Sequence, residues 1–400
     1  MSTRSENTKK NPSDHLRLGV IGVCRRGVLA DIAHQPENGC QIVAGADIHQ
    51  ENLQKFTERF NHEVAAYTDY REMLEKENLD GVFIMSPDFC HEEQAVAALE
   101  KKVAVYLEKP MAITIAGCDR IMQAAFENRT KLFIGHNMRY MGFTKKMKEI
   151  IDSGLIGKVQ AIWCRHFVSY GGDNYFKDWH AEQKYSTSLL LQKGCHDIDI
   201  IHWLAGSFTK TVTGLGKLSV YNRCGKSYPD NEYVQAKANP DNWPPLEQKG
   251  MNPDMDNEDH NMILLQLENG VQASYMQCFY TPDSCRNYTI LGTKGRIENY
   301  GDVGEGAAIE VWTNRTDSYR FNGDITYRGL IKPGGHGGSD NEIVQSFIDY
   351  LTGKEKPAST PLAARYSVAA GYMGAMSIRA GGRPFDIPRP DSDLAEYNGF

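Results

Sequence analysis

The chain has 400 residues, 41% hydrophobic and 24% charged, with a formal net charge of −7, and that length suits two cores better than one. The acidic balance argues against nucleic acid as a partner, since phosphate binding needs a basic face. No apolar run approaches the ~20 residues that would span a bilayer, so no membrane partner is expected either.

In chain order, residues 1–14 are polar, lack a hydrophobic signal core and read as a disordered lead-in. Strand-like runs then alternate with helix-period segments. Strands are predicted at 16–22, 41–47, 65–68, 81–86, 103–107 and 131–135, with helices at 28–35, 51–60, 70–76, 91–101 and 115–128. Such βα alternation implies an α/β Rossmann domain over 15–137, built on a doubly wound parallel sheet with right-handed crossovers. After residue 137 the pattern changes. An amphipathic helix at 140–153 precedes long strands at 158–168, 211–220, 260–267, 271–279, 287–291, 296–299 and 308–313. Helices are predicted at 188–204, 341–351 and 362–379. A C-terminal α+β domain with a large open, mainly antiparallel sheet is expected over 138–400. Residues 239–259, rich in Pro, Asn and Asp, read as a long loop. The nine cysteines form no CxxC pair and no Cys/His zinc spacing. A reducing cytoplasm suits them, and neither a metal site nor a disulfide scaffold is expected.

Three stretches carry chemistry. The first strand turns into a helix through Gly22, Cys24 and Gly27, which align with G-x-G-x-x-G except that cysteine takes the middle place. The first glycine makes the turn and the third lets helix approach strand; the second normally clears space for a pyrophosphate. Cys24 should push that group outward or demand a shifted backbone, while Arg25 or Arg26 could add charge. Asp47 ends the second strand, where an acid can bind a ribose diol and repel a 2′-phosphate, favouring NAD over NADP. At the end of the fifth strand stands Glu108-Lys109-Pro110, a lysine where open α/β sheets bind ligands.

These residues, in this order, resemble the Gfo/Idh/MocA family of NAD(P)-dependent sugar and cyclitol oxidoreductases. Ser86-Pro-Asp-Phe-Cys-His91 looks like the family's T/S-P-x-x-x-H turn, and Glu108-Lys109-Pro110 matches its E-K-P signature. His136-Asn-Met-Arg-Tyr140 is similar to its N-x-R-F/Y segment, and Gly194-Cys-His-Asp-Ile-Asp199 to its G-x-H-x-x-D helix. The resemblance implies cofactor contacts at Ser86, Pro87, His91, Glu108, Lys109 and Asn137, a cis bond before Pro110, and a catalytic His196. One position departs: many members place an aspartate four residues before the histidine, and here that residue is Gln192. Asp199, three positions after His196, is expected to orient its ring.

A sugar or cyclitol substrate is the expected partner, with Lys109 and His196 sharing proton transfer. Arg165, Tyr170, Trp179, His180 and Gln192 are expected to line its site, and Gly335-His-Gly-Gly338 to form a cofactor-side or subunit-side loop. A homodimer or homotetramer through the C-terminal sheet is implied. Two other readings stay open: a glycosidase or other redox-neutral enzyme with tightly held NAD, and a non-catalytic nucleotide sensor.

Overall fold

A computed structural model of the chain describes residues 15–227, 239–302, 304 and 306–400. The expected lead-in over 1–14 lies outside the described residues. The N-terminal sheet holds β1 (Leu16–Ile21), β2 (Cys40–Ala46), β3 (Ala65–Tyr67), β4 (Gly81–Ile84), β5 (Ala104–Leu107) and β6 (Leu132–Ile134). All its pairings are parallel, in the order β3-β2-β1-β4-β5-β6. Strand order reverses between β1 and β4, which opens a crevice at their carboxyl ends. Every residue of β4 and β5 is buried, as expected for strands covered on both faces. Polar caps start two of the helices: Asp69 accepts from the Arg71 amide and Thr114 from the Gly117 amide. The segment after β1, expected as a helix over 28–35, is a 3-10 helix at Arg25–Ala33.

The second sheet has nine strands: β7 (Val159–Phe167), β8 (Thr209–Lys217), β9 (His260–Leu267), β10 (Gln272–Cys278), β11 (Cys285–Gly292), β12 (Arg296–Tyr300), β13 (Ala308–Trp312), β14 (Ile325–Arg328) and β15 (Phe385–Asp386). Their order is β14-β13-β12-β11-β7-β10-β9-β8-β15. The pairings are antiparallel apart from β7 with β10. The short strands β14 and β15 were not foreseen. Helices Gly142–Asp152, Gly194–Ala205 and Pro361–Arg379 cover one face and share its apolar core. The other face is open. Across it run two cross-strand rows, Trp163–Ser274–Leu264–Thr213 and Arg165–Met276–Met262–Leu215.

One helix differs from expectation. The helix predicted over 188–204 is two, Leu189–Gln192 and Gly194–Ala205, hinged at Lys193. Helix Ser339–Leu351 of the C-terminal half packs back against the Rossmann sheet. Its Phe347 ring lies 5.1 Å from Phe83, 5.4 Å from Tyr106 and 5.5 Å from Phe133. Burying such a phenylalanine contributes about 1.5–3 kcal/mol, enough to fasten the returning helix.

Candidate active site

The glycine turn after β1 leaves no room at its two ends. Gly22 has φ +81°, and a Cβ there would stand 2.9 Å from the Met85 carbonyl carbon; one on Gly27 would meet the Gly22 oxygen at 2.1 Å. Cys24 fits in extended backbone, φ −102°. The backbone departure falls on the next residue, Arg25, which takes φ +49°. Arg26 is committed elsewhere: its Nε donates to Glu108 Oε1 at 2.7 Å and its Nη2 lies 2.9 Å from Asp340 Oδ1. Asp340, two residues beyond the Gly335–Gly338 turn, also lies 3.1 Å from His336 Nδ1, which places that glycine-rich segment beside Arg26. Asp47, half-buried at the tip of β2, accepts from the Val23 amide at 3.3 Å, the His49 amide at 3.0 Å and Asn52 Nδ2 at 3.0 Å.

The turn after β4 faces this loop. Ser86 Oγ donates to Gln94 Oε1 at 2.6 Å, and Pro87 leads into a 3-10 turn, Asp88–Cys90. The fully buried His91 places its ring nitrogens 2.7 Å from the Pro110 oxygen and 3.0 Å from the Ser86 oxygen. It therefore joins the β4 turn to the β5 end through backbone rather than facing a ligand. Lys109–Pro110 is cis, as the resemblance implied. Glu108 spends both oxygens, one on Arg26 and one on the Lys109 amide at 3.0 Å. Against burial, which would raise it, Arg26 and then Lys109 hold its carboxyl below the usual value. Lys109 Nζ reaches across the cleft to donate to the backbone oxygen of Gln192 at 3.0 Å.

His196 enters from the Gly194–Ala205 helix, buried, its Nδ1 without a hydrogen-bond partner among the described residues. Burial, then the positive charges of Lys109 and Arg286, push its pKa well down, so the imidazole is neutral. The expected role of Asp199 is not what the structure shows. Its carboxylate takes Arg139 Nε and Nη2, both at 2.7 Å, and lies 3.0 Å from His136 Nδ1. Arg139 and His136, brought in by the segment after β6, outcompete the neighbour on the same helix face. Asp197 is likewise occupied, by Tyr275 at 2.9 Å, Tyr288, Arg286 at 3.1 Å and His166 at 3.0 Å.

The proposed substrate side divides. His180 is buried beside Lys109, its Nδ1 2.6 Å from Asp178 Oδ1 and its ring stacked 3.7 Å from Trp179. Trp179 in turn meets Phe89 of the β4 turn at 5.6 Å, closing one wall of the cleft. Tyr170 lies further in, 5.7 Å below the Lys193 ammonium. Arg165 is placed elsewhere: strand alternation puts it on the open sheet face, donating to Asn287 at 3.1 Å. Its parity in β7 is opposite to that of Cys164 and His166, which face the helices.

Sequence reasoning passed over Asp88. It lies in the cleft, 6% exposed, with Oδ2 unpartnered among the described residues. Burial pushes its carboxyl up to about 7, against the opposing charge of Lys109 and a hydrogen bond from Gln192. The sequence signal that points to this corner is Gln192, at a position where the resemblance leads to an aspartate.

These residues fit a dinucleotide. Glycines stand where side chains would block close approach, an acid tips β2, and Asn137 keeps a buried side-chain oxygen unpartnered at the same end of the sheet. Among the described residues, no cluster of three His, Cys, Asp or Glu could hold a metal. No helix among them is long and apolar enough to cross a membrane.

Comparison with known proteins agrees with this reading. A family model described as "Oxidoreductase family, NAD-binding Rossmann fold" matches residues 16–136, and one described as "Oxidoreductase family, C-terminal alpha/beta domain" matches 148–387. A putative oxidoreductase, YteT of Bacillus subtilis, is 27% identical over 358 residues, covering 78% of this chain and 80% of that protein. The inositol 2-dehydrogenase of Salmonella typhimurium is 30% identical over 201 residues, 49% of this chain and 56% of that enzyme, so the match spans about half of it. Among solved structures, levoglucosan dehydrogenase in complex with NADH and levoglucosan superposes with a TM-score of 0.75 at 17% identity, covering 94% of this chain and all of that one. At that identity the likeness shows the fold.

Proposed function

The chain belongs to the Gfo/Idh/MocA oxidoreductase family, and from that premise we propose that it oxidises a secondary hydroxyl of a sugar, glycoside or cyclitol, using NAD rather than NADP. The observation that carries this is the meeting of Lys109 and a neutral His196, its Nδ1 unpartnered among the described residues, in one cleft beside the glycine loop. NAD, when bound, supplies the hydride acceptor. Gly22 and Gly27 admit its pyrophosphate, Asp47 its adenosine ribose, and the β4 turn with Asn137 its nicotinamide end. His196 hydrogen-bonds the reacting hydroxyl and orients it. Burial and the nearby positive charges disfavour an imidazolium, so the hydroxyl proton leaves through Lys109, which passes one of its own protons on as it takes this one, while the C–H bond yields its hydride and the carbonyl forms. Trp179 and His180 wall off the cleft beside Lys109 and offer a ring face and a polar edge to a polyol.

The NAD preference rests on Asp47, whose charge opposes a 2′-phosphate, with the exposed Ile48 rather than a basic residue following it. Homodimers or homotetramers are supported by the open sheet face, where Trp163, Leu215, Met262 and Leu264 are exposed. A reducing cytoplasmic setting accords with nine unpaired cysteines. The test is a screen of sugars, glycosides and cyclitols with NAD and NADP, following the reduced cofactor. Reduction of NAD on a polyol is expected. An NADP preference overturns the reading of Asp47, and glycoside cleavage without net reduction favours the redox-neutral alternative.

A further inference from the structure

We propose that Asp88, on the turn after β4, supplies the carboxylate that position 192 lacks, and partners Lys109 from the opposite wall of the cleft. Geometry holds the three together: His91 fastens the Asp88 turn to the Lys109–Pro110 bond, its ring 2.7 Å from the Pro110 oxygen and 3.0 Å from the Ser86 oxygen, and the Gln192 backbone oxygen takes Lys109 Nζ at 3.0 Å. Gln192 Oε1 and Asp88 Oδ2 are both buried without partners, so this corner carries polar capacity that the protein's own fold does not use.

The other acids around the lysine are spoken for. Glu108, at the end of β5, is neutralised by Arg26 and the Lys109 amide. Asp197 and Asp199, on the His196 helix, are enclosed by Arg286 and Arg139. Asp178 sits on His180. The remaining titratable groups near Asp88 are Cys90 on its own turn, Cys195 and His196 on the facing helix, and His180, none of which supplies a negative charge at neutral pH. Among the described residues, Asp88 is thus the one buried carboxylate in the cleft whose charge is free to answer that of Lys109. Burial brings its ionisation to about pH 7, inside the working range.

On the dehydrogenase reading, on which only this step rests, Lys109 passes a proton to the ionised Asp88 carboxylate as it takes the proton of the hydroxyl. The lysine stays an ammonium and Asp88 ends protonated. Asp88 acts through Lys109 and is a positioning residue. It also joins the domains: the turn belongs to the Rossmann half and Gln192 to the C-terminal half.

The charge coupling is tested on the full chain without cofactor or substrate, by infrared difference spectroscopy of carboxyl groups during a pH titration. A buried carboxyl is expected to ionise near pH 7 and to be missing from Asp88→Asn. In Lys109→Met its midpoint rises by about one pH unit or more, because the nearby cation is gone, and in Gln192→Leu it rises by less. A carboxyl that is absent, or that does not move in Lys109→Met, overturns the proposal. The Lys109→Met and Gln192→Leu arms decide it even if Asp88→Asn does not fold. In turnover, Asp88→Asn should lose ~10²-fold in kcat with KM little changed and lose the rise in rate through pH 7. The double variant Asp88→Asn/Gln192→Asp should recover most of the rate. Unchanged kcat and pH profile in Asp88→Asn also contradict it. A chain that oxidises no polyol at all sinks the dehydrogenase reading and leaves the infrared arms to judge the coupling.

Discussion

The Gly194–Ala205 helix and the turn after β4 each bring buried aspartate to the cleft, and they treat it in opposite ways. Asp197 and Asp199 are enclosed by arginine, histidine and, for Asp197, tyrosine partners. Against burial, these partners hold both carboxyls well below the ordinary range. Asp88 keeps an unpartnered oxygen, and its carboxyl is raised. A buried charge that is fully paired belongs to the scaffold; one left open stores free energy that chemistry can draw on. On the proposed reading, the helix holds His196 in place and the turn supplies reactivity.

The contrast breaks most directly at Asp199. Asp199→Ala leaves Arg139 buried and unpaired, and should cost about 3–5 kcal/mol of stability in chemical denaturation. A loss below about 1 kcal/mol would remove the distinction. Asp88→Asn should move the other way. A carboxyl raised by burial from the usual carboxylate range to about 7 favours its protonated form on folding. Its contribution is fully present below pH ~4 and lost as pH rises through 7. Wild type should therefore fall behind Asp88→Asn across that window, by about 2–4 kcal/mol at pH 8, with little difference at pH 4. Depressed carboxyls such as Asp197 and Asp199 act in the opposite sense. Their stabilisation is present above pH ~4 and lost as pH falls below it. Thermal melts from pH 4 to 8 compare the two variants with wild type.

How far this was legible beforehand differs from region to region. The parallel sheet and Lys109 at the end of β5 could be read from βα alternation, because strands covered on both faces are short apolar runs. Strands β14 and β15 could not, having four and two residues and hence no alternation to count. Helix Ser339–Leu351 showed an apolar face, but a sequence does not say which sheet an apolar face will meet. Asp199 was misassigned for a related reason. Helix spacing names its neighbour His196, whereas Arg139 and His136 are sixty or more positions away and form stronger charged contacts. The placing of Arg165 was within reach, since Ile162, Cys164 and His166 share the buried face of β7 and leave Trp163 and Arg165 on the other. Exposed Trp163 obscured that parity.

The glycine loop repeats the distinction between filled and open space on a smaller scale. Gly27→Ala places a methyl against the Gly22 oxygen and should weaken NADH binding at least ~10-fold, read by fluorescence titration. Cys24→Gly removes a side chain that already fits, and should change NADH affinity by no more than ~3-fold. Equal effects from the two would mean the loop geometry does not govern cofactor approach.

The central claim is that Lys109 serves hydride transfer from a carbinol carbon. It is tested most directly with a cyclitol or sugar found in the substrate screen, deuterated at the oxidised carbon, followed by mass spectrometry of the cofactor. The account predicts one deuterium in the reduced nicotinamide for each ketone formed by the wild-type chain, and a rate ~10³-fold lower in Lys109→Met. Deuterium transfer at the wild-type rate in Lys109→Met, or ketone formed beside unlabelled cofactor, would contradict it.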